Sequence, residues 1–285
     1  MKNNKTLYFM AVCAFLSVAG FAQNNNKGFI PDSSSYIVIS QPSDLTKNAS
    51  LVNSNIFKFP FMLIDRTLLL MSNDENNQIA FHINEKLKQF EEVFILDSLI
   101  VCRDSNVIKI FDGGDQVDDL LIMPDKNYRI FQADRGCFYL VNYKNNSSEV
   151  FIVDIYTRKY LKLFDAPFKI DHIVGTKYDC IVTSDRMIYL VSNGFCSIVD
   201  VADSVVQSID FYKGGIFYST KKACYYLGLP GKSYPFLLDN IKQLMVVDNR
   251  LYLLFGDGLL SVIDNADGYR RLLEEVVNEI NTEEQ

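Results

Sequence analysis

Chemistry near neutral pH usually calls on histidine, a reactive thiolate or converging carboxylates, and this sequence spends few residues on any of them. It has two histidines. His82 stands two residues before Asn84, in a place held elsewhere in the chain by Ile110, Ile152, Ile198, Tyr226 and Val262. Burying an imidazole unpaired costs on the order of a few kcal/mol, so His82 reads as a core residue with one hydrogen-bond partner. His172 follows Asp171 and opens a strand. His82, Asp171 and His172 are therefore the candidates for ligand binding, each with an ordinary structural role as the simpler reading. The run Asp112-Gly-Gly-Asp115-Gln-Val-Asp118-Asp119 offers the oxygens that calcium takes but not the ligand spacing of a calcium loop, and it reads as a solvated turn. No metal site is expected. No GxGxxG, GxxxxGK[ST] or GxSxG occurs, so no cofactor and no hydrolase elbow is expected either.

Stepping outward from these residues, the elements that must carry them repeat. Six apolar runs begin at Leu68, Leu99, Cys137, Cys180, Ile216 and Leu251, spaced 31, 38, 43, 36 and 35 residues apart. A second column ends at Asn84, Asp112, Asp154, Asp200, Gly228 and Asp264. The residue before each of these is apolar (Ile83, Phe111, Val153, Val199, Leu227, Ile263). So is the residue four back (Ala80, Ile108, Val150, Cys196, Cys224, Leu260). Successive strand residues face opposite ways, so apolar side chains at both parities predict sheets covered on both faces. Units of this period, covered on both sides and joined by tight turns, fit blades around an axis. After Asp264 the last unit has no fourth strand, while the unpaired segment Tyr36-Ile37-Val38-Ile39-Ser40 precedes the first. It is expected to pair into the last blade and close the ring.

On these columns the chain resembles the secreted β-propeller proteins of Gram-negative bacteria, of the six-bladed type. The resemblance covers residues 36–265, is architectural, and lends no functional residues. It implies an all-β fold, a six-bladed β-propeller closed by an N-terminal strand, followed by a short C-terminal amphipathic helix. In that setting Cys137 and Cys180 share one apolar slot, and Cys196 and Cys224 another. With Cys102 they form an odd set without CxxC, expected as buried thiols, one disulfide being the alternative.

Residues 1–22 read as a signal peptide. Lys2 and Lys5 supply the positive start, residues 7–19 the apolar stretch, and Gly20-Phe21-Ala22 a cleavage site before Gln23. Residues 23–35 are a polar linker. Cleavage leaves 26 basic against 35 acidic residues, a net charge of −9, which argues against nucleic acid as a partner. No later run is long enough to span a membrane. In the tail, residues 266–285, Leu272, Leu273, Val276, Val277 and Ile280 fall on one helical face and are the candidate partner-binding residues. Asp267 and Gly268 sit where a cap and turn belong. Together these readings predict an exported protein, periplasmic or extracellular, acting as a non-enzymatic protein-binding or scaffold module in the bacterial envelope. The alternative is a glycan- or small-ligand-binding propeller, hydrolytic in one version, with its site at the channel mouth.

Overall fold

Strand β1 (Tyr36–Val38) comes first, and six four-stranded antiparallel sheets account for it and every later strand in the computed structural model. The structure describes residues 36–38, 47–53, 60–64, 67–73, 79–88, 92–97, 99–112, 115–123, 127–134, 136–176, 178–229, 233–236 and 238–271. The expected leader 1–22 with its expected cut at Ala22 and Gln23, the expected linker 23–35, and the candidate partner-binding residues Leu272, Leu273, Val276, Val277 and Ile280 lie outside the described residues.

Sheet 1 is β2 (Ser50–Val52), β3 (Phe61–Ile64), β4 (Thr67–Asn73) and β5 (Ile79–Lys88). Sheet 2 is β6 (Glu92–Leu96), β7 (Leu99–Asp104), β8 (Val107–Asp112) and β9 (Asp115–Ile122). Sheet 3 is β10 (Tyr128–Gln132), β11 (Cys137–Lys144), β12 (Ser147–Asp154) and β13 (Lys159–Ala166). Sheet 4 is β14 (His172–Gly175), β15 (Asp179–Ser184), β16 (Met187–Ser192) and β17 (Phe195–Val201). Sheet 5 is β18 (Ser208–Tyr212), β19 (Gly215–Ser219), β20 (Cys224–Gly228) and β21 (Ser233–Phe236). In sheet 6, β22 (Ile241–Val247), β23 (Arg250–Phe255) and β24 (Leu260–Ile263) are joined by β1, with Tyr36 opposite Ile263 and Val38 opposite Ser261. Turn residues such as Asp97, Asn145, Asp185 and Asn193 take positive φ, which Asn and Asp tolerate and tight hairpins require.

Packing follows from the two-sided apolar pattern. All five residues of β19 and all four of β24 are buried. The cores lie between neighbouring sheets. Tyr139, Val150 and Phe164 of sheet 3 meet Cys180, Val182 and Val191 of sheet 4. Leu51 and Met62 of sheet 1 meet Met245, Tyr252 and Leu254 of sheet 6. The first strand of each sheet touches the first strand of the next: β2 with β6, β6 with β10, β10 with β14, β14 with β18, β18 with β22, and β22 with β2. These inner strands run in one direction, since Ser208 bonds Leu244 while Asp210 bonds Val246 two residues on.

Four sequence expectations change. The run at Leu68 is the third strand of sheet 1, and the second is β3, beginning at Phe61. The columns ending at Asn84 and Asp200 are the outer strands β5 and β17, whereas in the other sheets they are third strands. Asp115 to Asp119, read as a turn, belong to β9. The helix starts one turn earlier, at residues 266–271, and Asn265 caps it by accepting the Gly268 N–H at 2.9 Å. Tyr269 is buried in the core between sheets 5 and 6, so this turn of the helix is docked.

Candidate functional site

A cavity of about 720 Å³ lies between the inner strands and takes lining residues from all six sheets. Its charges come from strands that the two sequence columns passed over: Glu92 of β6, Arg129 of β10, Asp210 of β18 and Lys242 of β22, together with His172 of β14. Glu92, Arg129, His172 and Lys242 are the first or second residues of parallel strands, so they share one end of the channel. Asp210 sits further along.

Glu92 accepts Arg129 Nε at 2.8 Å on one oxygen. The other oxygen accepts Arg103 Nε at 3.1 Å and the Ile130 N–H at 2.9 Å. Arg129 reaches on to the Asp171 carbonyl at 3.3 Å. Asp171 thus meets Arg129 through its backbone, while its carboxylate accepts the Asp185 N–H at 2.7 Å and holds the β15–β16 turn. Burial, and then the nearby Arg129 charge, lower the His172 pKa to about 4, so the ring is neutral. Burial pushes the Asp210 carboxyl up to about 7, against the pull of the Val246 N–H at 2.6 Å and the Phe211 N–H at 2.8 Å. It is one of the residues that line the cavity. Lys242, its pKa lowered by burial, donates to the Ala49 carbonyl at 2.6 Å and the Lys47 carbonyl at 2.9 Å. Gln243 clamps Leu51 both ways, accepting its N–H at 2.6 Å and donating to its carbonyl at 2.8 Å.

Eight of these eleven bonds cross from one sheet to the next. A charge held by its neighbours' backbone has little left for a reactant, so the geometry is first of all a seam between sheets. Of the sequence candidates His172 lines the cavity, and its chain neighbour Asp171 meets it only through the carbonyl that accepts from Arg129. His82 is not joined to them: it lies on the outer strand β5, opposite Leu70. Glu92, Arg129, Asp210 and Lys242 were missed. Their signal was a third column of short runs, each headed or interrupted by a polar residue and beginning shortly before the Leu99, Cys137, Cys180, Ile216 and Leu251 runs.

The second notable surface is apolar. Of nine large hydrophobic side chains exposed among the residues whose side chains are described, which leaves out β1, β4, β5, β9 and β21, eight lie on sheets 3 and 4 or the loop after β17 and one, Phe211, on β18. Tyr156, Tyr160, Leu161, Tyr178 and Phe195 gather at the end of these sheets that carries the β12–β13, β14–β15 and β16–β17 turns, with Tyr178 72% and Phe195 78% exposed. Other tyrosines bridge sheets instead: Tyr139 donates to the Thr176 carbonyl at 2.5 Å and Tyr143 to the Ile170 carbonyl at 2.7 Å. The cysteines divide as well. Cys102, Cys180 and Cys224 are buried, Cys137 is half-buried, and none of the five is in a disulfide; Cys196, expected in a buried slot, is exposed because β17 is an outer strand.

The sequence matches no protein-family model and no curated relative. Solved structures do match. PorZ of Porphyromonas gingivalis, a bacterial surface component of the type-IX secretion system, is 12% identical with a TM-score of 0.53 over 82% of this chain, which spans only 38% of that one. A gluconolactonase of Xanthomonas campestris is 10% identical, TM-score 0.59, over 80% of this chain and 88% of its own. The Pan2 WD40 domain of Neurospora crassa is 12% identical, TM-score 0.51, over 82% and 76%. Among the described residues no helix is long and apolar enough to cross a membrane. Likeness at this identity bears on the fold alone, and the fold is all-β, of the β-propeller type.

Proposed function

We propose that the chain is an exported, non-enzymatic ring of six blades, closed by β1, that binds another protein of the bacterial envelope. One observation carries the reading. The channel charges are engaged in bonds between sheets, whereas exposed Tyr, Phe and Leu side chains concentrate at one end of two neighbouring sheets. Large aromatic side chains left in water on a folded surface are the composition of interface hot spots. The cyclic order of inner-strand contacts and the β1–β24 pairing support six blades and closure. Export rests on the sequence of residues 1–22. The tail residues Leu272, Leu273, Val276, Val277 and Ile280 are proposed as a further docking element.

The test is affinity capture from envelope extracts with three forms of the mature chain: unaltered, Tyr160→Ser with Leu161→Ser, and truncated after residue 271. Both substituted residues are exposed, so folding should be unaffected. A discrete partner lost with the double substitution supports the reading, loss only on truncation moves the site to the tail, and no partner with any form rejects it. The polar cavity favours one second reading, a small polar ligand bound at the Arg129 and Lys242 end. Calorimetric titration with envelope saccharides, with Arg129→Ala as control, tests it.

A further inference from the structure

The cavity lining carries more negative charge than positive. It holds three carboxylates, Glu92, Asp134 and Asp210, against two cations, Arg129 and Lys242. Both cations have partners: Arg129 donates to Glu92, and Lys242 to two backbone carbonyls. Asp210 is held differently from Glu92. Its oxygens accept the Val246 and Phe211 N–H groups, and among the described residues no cation pairs with it. Two N–H bonds take two of the roughly four lone-pair sites of a carboxylate, so they orient it and leave its charge uncompensated. A second acceptor of the lining is in a similar condition. Gln132 donates through Nε2 to the Ile95 carbonyl at 3.3 Å, while its Oε1 is buried without a hydrogen-bond partner. Buried acceptors normally find a donor, so an acceptor without one calls for a reason. The lining is also aromatic. Phe211, 42% exposed, is the one of the nine exposed large hydrophobic side chains that stands on an inner strand, next to Asp210.

We propose that the cavity binds an organic ammonium ion, its N–H groups donating to the Asp210 carboxylate and its carbon body lying against Phe211. This goes beyond the envelope-partner reading. It also differs from the saccharide reading, because it uses the carboxylate of β18 and not the Arg129 and Lys242 end. Three arguments select this class of ligand. Charge selects a cation, since a hydrogen bond from a charged donor to a carboxylate is about twice as strong as one between neutral groups. Ligand number selects an organic cation over a metal ion, because Asp210 is one carboxylate where calcium takes roughly six to eight oxygens. The phenyl ring adds to this: its negative face attracts an ammonium, and a carbon body covers apolar surface that water otherwise meets. At about 720 Å³ the cavity has the size of sites that hold small organic molecules.

The experiment is a ligand-observed NMR titration of the mature chain at pH 8, with benzylamine as the probe and benzyl alcohol as its neutral counterpart. Burial pushes the Asp210 carboxyl up only to about 7, so at this pH both it and the amine are ionised. Benzylamine is expected to bind with a Kd on the order of 1 mM, in keeping with so small a molecule, and benzyl alcohol about tenfold more weakly. Asp210→Asn keeps the size of the side chain and removes its charge. It should weaken benzylamine about tenfold and leave benzyl alcohol unchanged. Phe211→Ala should weaken both probes roughly threefold, and because the ring is exposed it carries the test should Asp210→Asn fold poorly. No binding of benzylamine overturns the proposal, as does equal binding of amine and alcohol. So does benzylamine binding that survives either substitution unaltered, or calcium chloride that displaces the amine at an equal concentration. The titration needs no envelope extract, so its failure would leave the envelope-partner reading standing.

Discussion

Two titratable groups in the channel tilt stability with pH in opposite directions. His172 has its folded pKa lowered to about 4, against an ordinary histidine near 6.5. Between those values the unfolded chain holds the extra proton, so this residue's contribution is lost as pH falls from about 6.5 toward 4. Asp210 has its folded pKa raised to about 7, against an ordinary aspartate near 4. Here the folded chain holds the extra proton, so stability falls as pH rises from about 4 toward 7 and is level above that. The windows overlap, and the two slopes oppose each other. Denaturant melts of Asp210→Asn at a series of pH values should therefore show stability rising from pH 4 to 6.5, with a gain over wild type above pH 7. His172→Gln should show the reverse slope. Parallel curves for both variants would mean that neither group titrates inside the fold. A third residue is constrained by shape. Gly175, at the end of β14, has φ +133°, and a Cβ there would stand 2.5 Å from the Asp179 carbonyl and 2.8 Å from the Cys180 Cα. Backbone cannot move aside as a side-chain tip can, so Gly175→Ala should cost on the order of 3 kcal/mol in chemical denaturation.

Between elements, the inner strands are joined by side chains that stand in for a ladder. Gln243 is the clearest case, because it satisfies both the N–H and the C=O of Leu51 across the junction of sheets 6 and 1. Gln243→Leu fits the space but leaves both groups unpaired, a loss on the order of 3 kcal/mol that should lower Tm by roughly 6–12 °C. Gln243→Glu, which keeps only the acceptor, should fall between. These clamps were hard to read in advance for a physical reason. Second and third strands are buried on both faces and print a dense apolar signature, which is why the runs at Leu99, Cys137, Cys180, Ile216 and Leu251 were legible as one column. Inner strands border a wet channel and must answer charges from the neighbouring sheet, so Glu92 or Lys242 interrupts the pattern that would reveal them. Outer strands mislead in the other direction. Phe195 to Val201 are apolar enough to pass for core, and only the longer gap, 20 residues from Cys180 to Asp200 where neighbouring units need 12 to 17, betrays the extra strand. The exposure of Cys196 descends from that misplacement.

At the scale of the whole molecule, the two ends of the chain meet in two separate ways. One is the core in which Leu51 and Met62 pack on Met245, Tyr252 and Leu254. The other is β1, which covers the edge of β24 from the opposite end of the chain. The first needs only that sheets 1 and 6 be neighbours, whereas the second ties residues more than 220 positions apart in sequence, Tyr36 to Ile263, into one ladder. Removing β1 should therefore not unfold the protein outright, because the core of that junction remains. It should bare the fully buried strand Leu260–Ile263 along its outer edge, and an uncovered apolar edge recruits other chains. A chain starting at residue 41 is expected to melt in a single transition lowered by roughly 5–10 °C and to aggregate with increasing concentration, both monitored by scattering during the melt. A synthetic peptide of residues 34–41, added in excess, should restore Tm by refilling the β24 edge. If the shortened chain melts as the full one does and stays monodisperse, β1 is an ornament on sheet 6 and the junction of sheets 1 and 6 depends on their shared core alone.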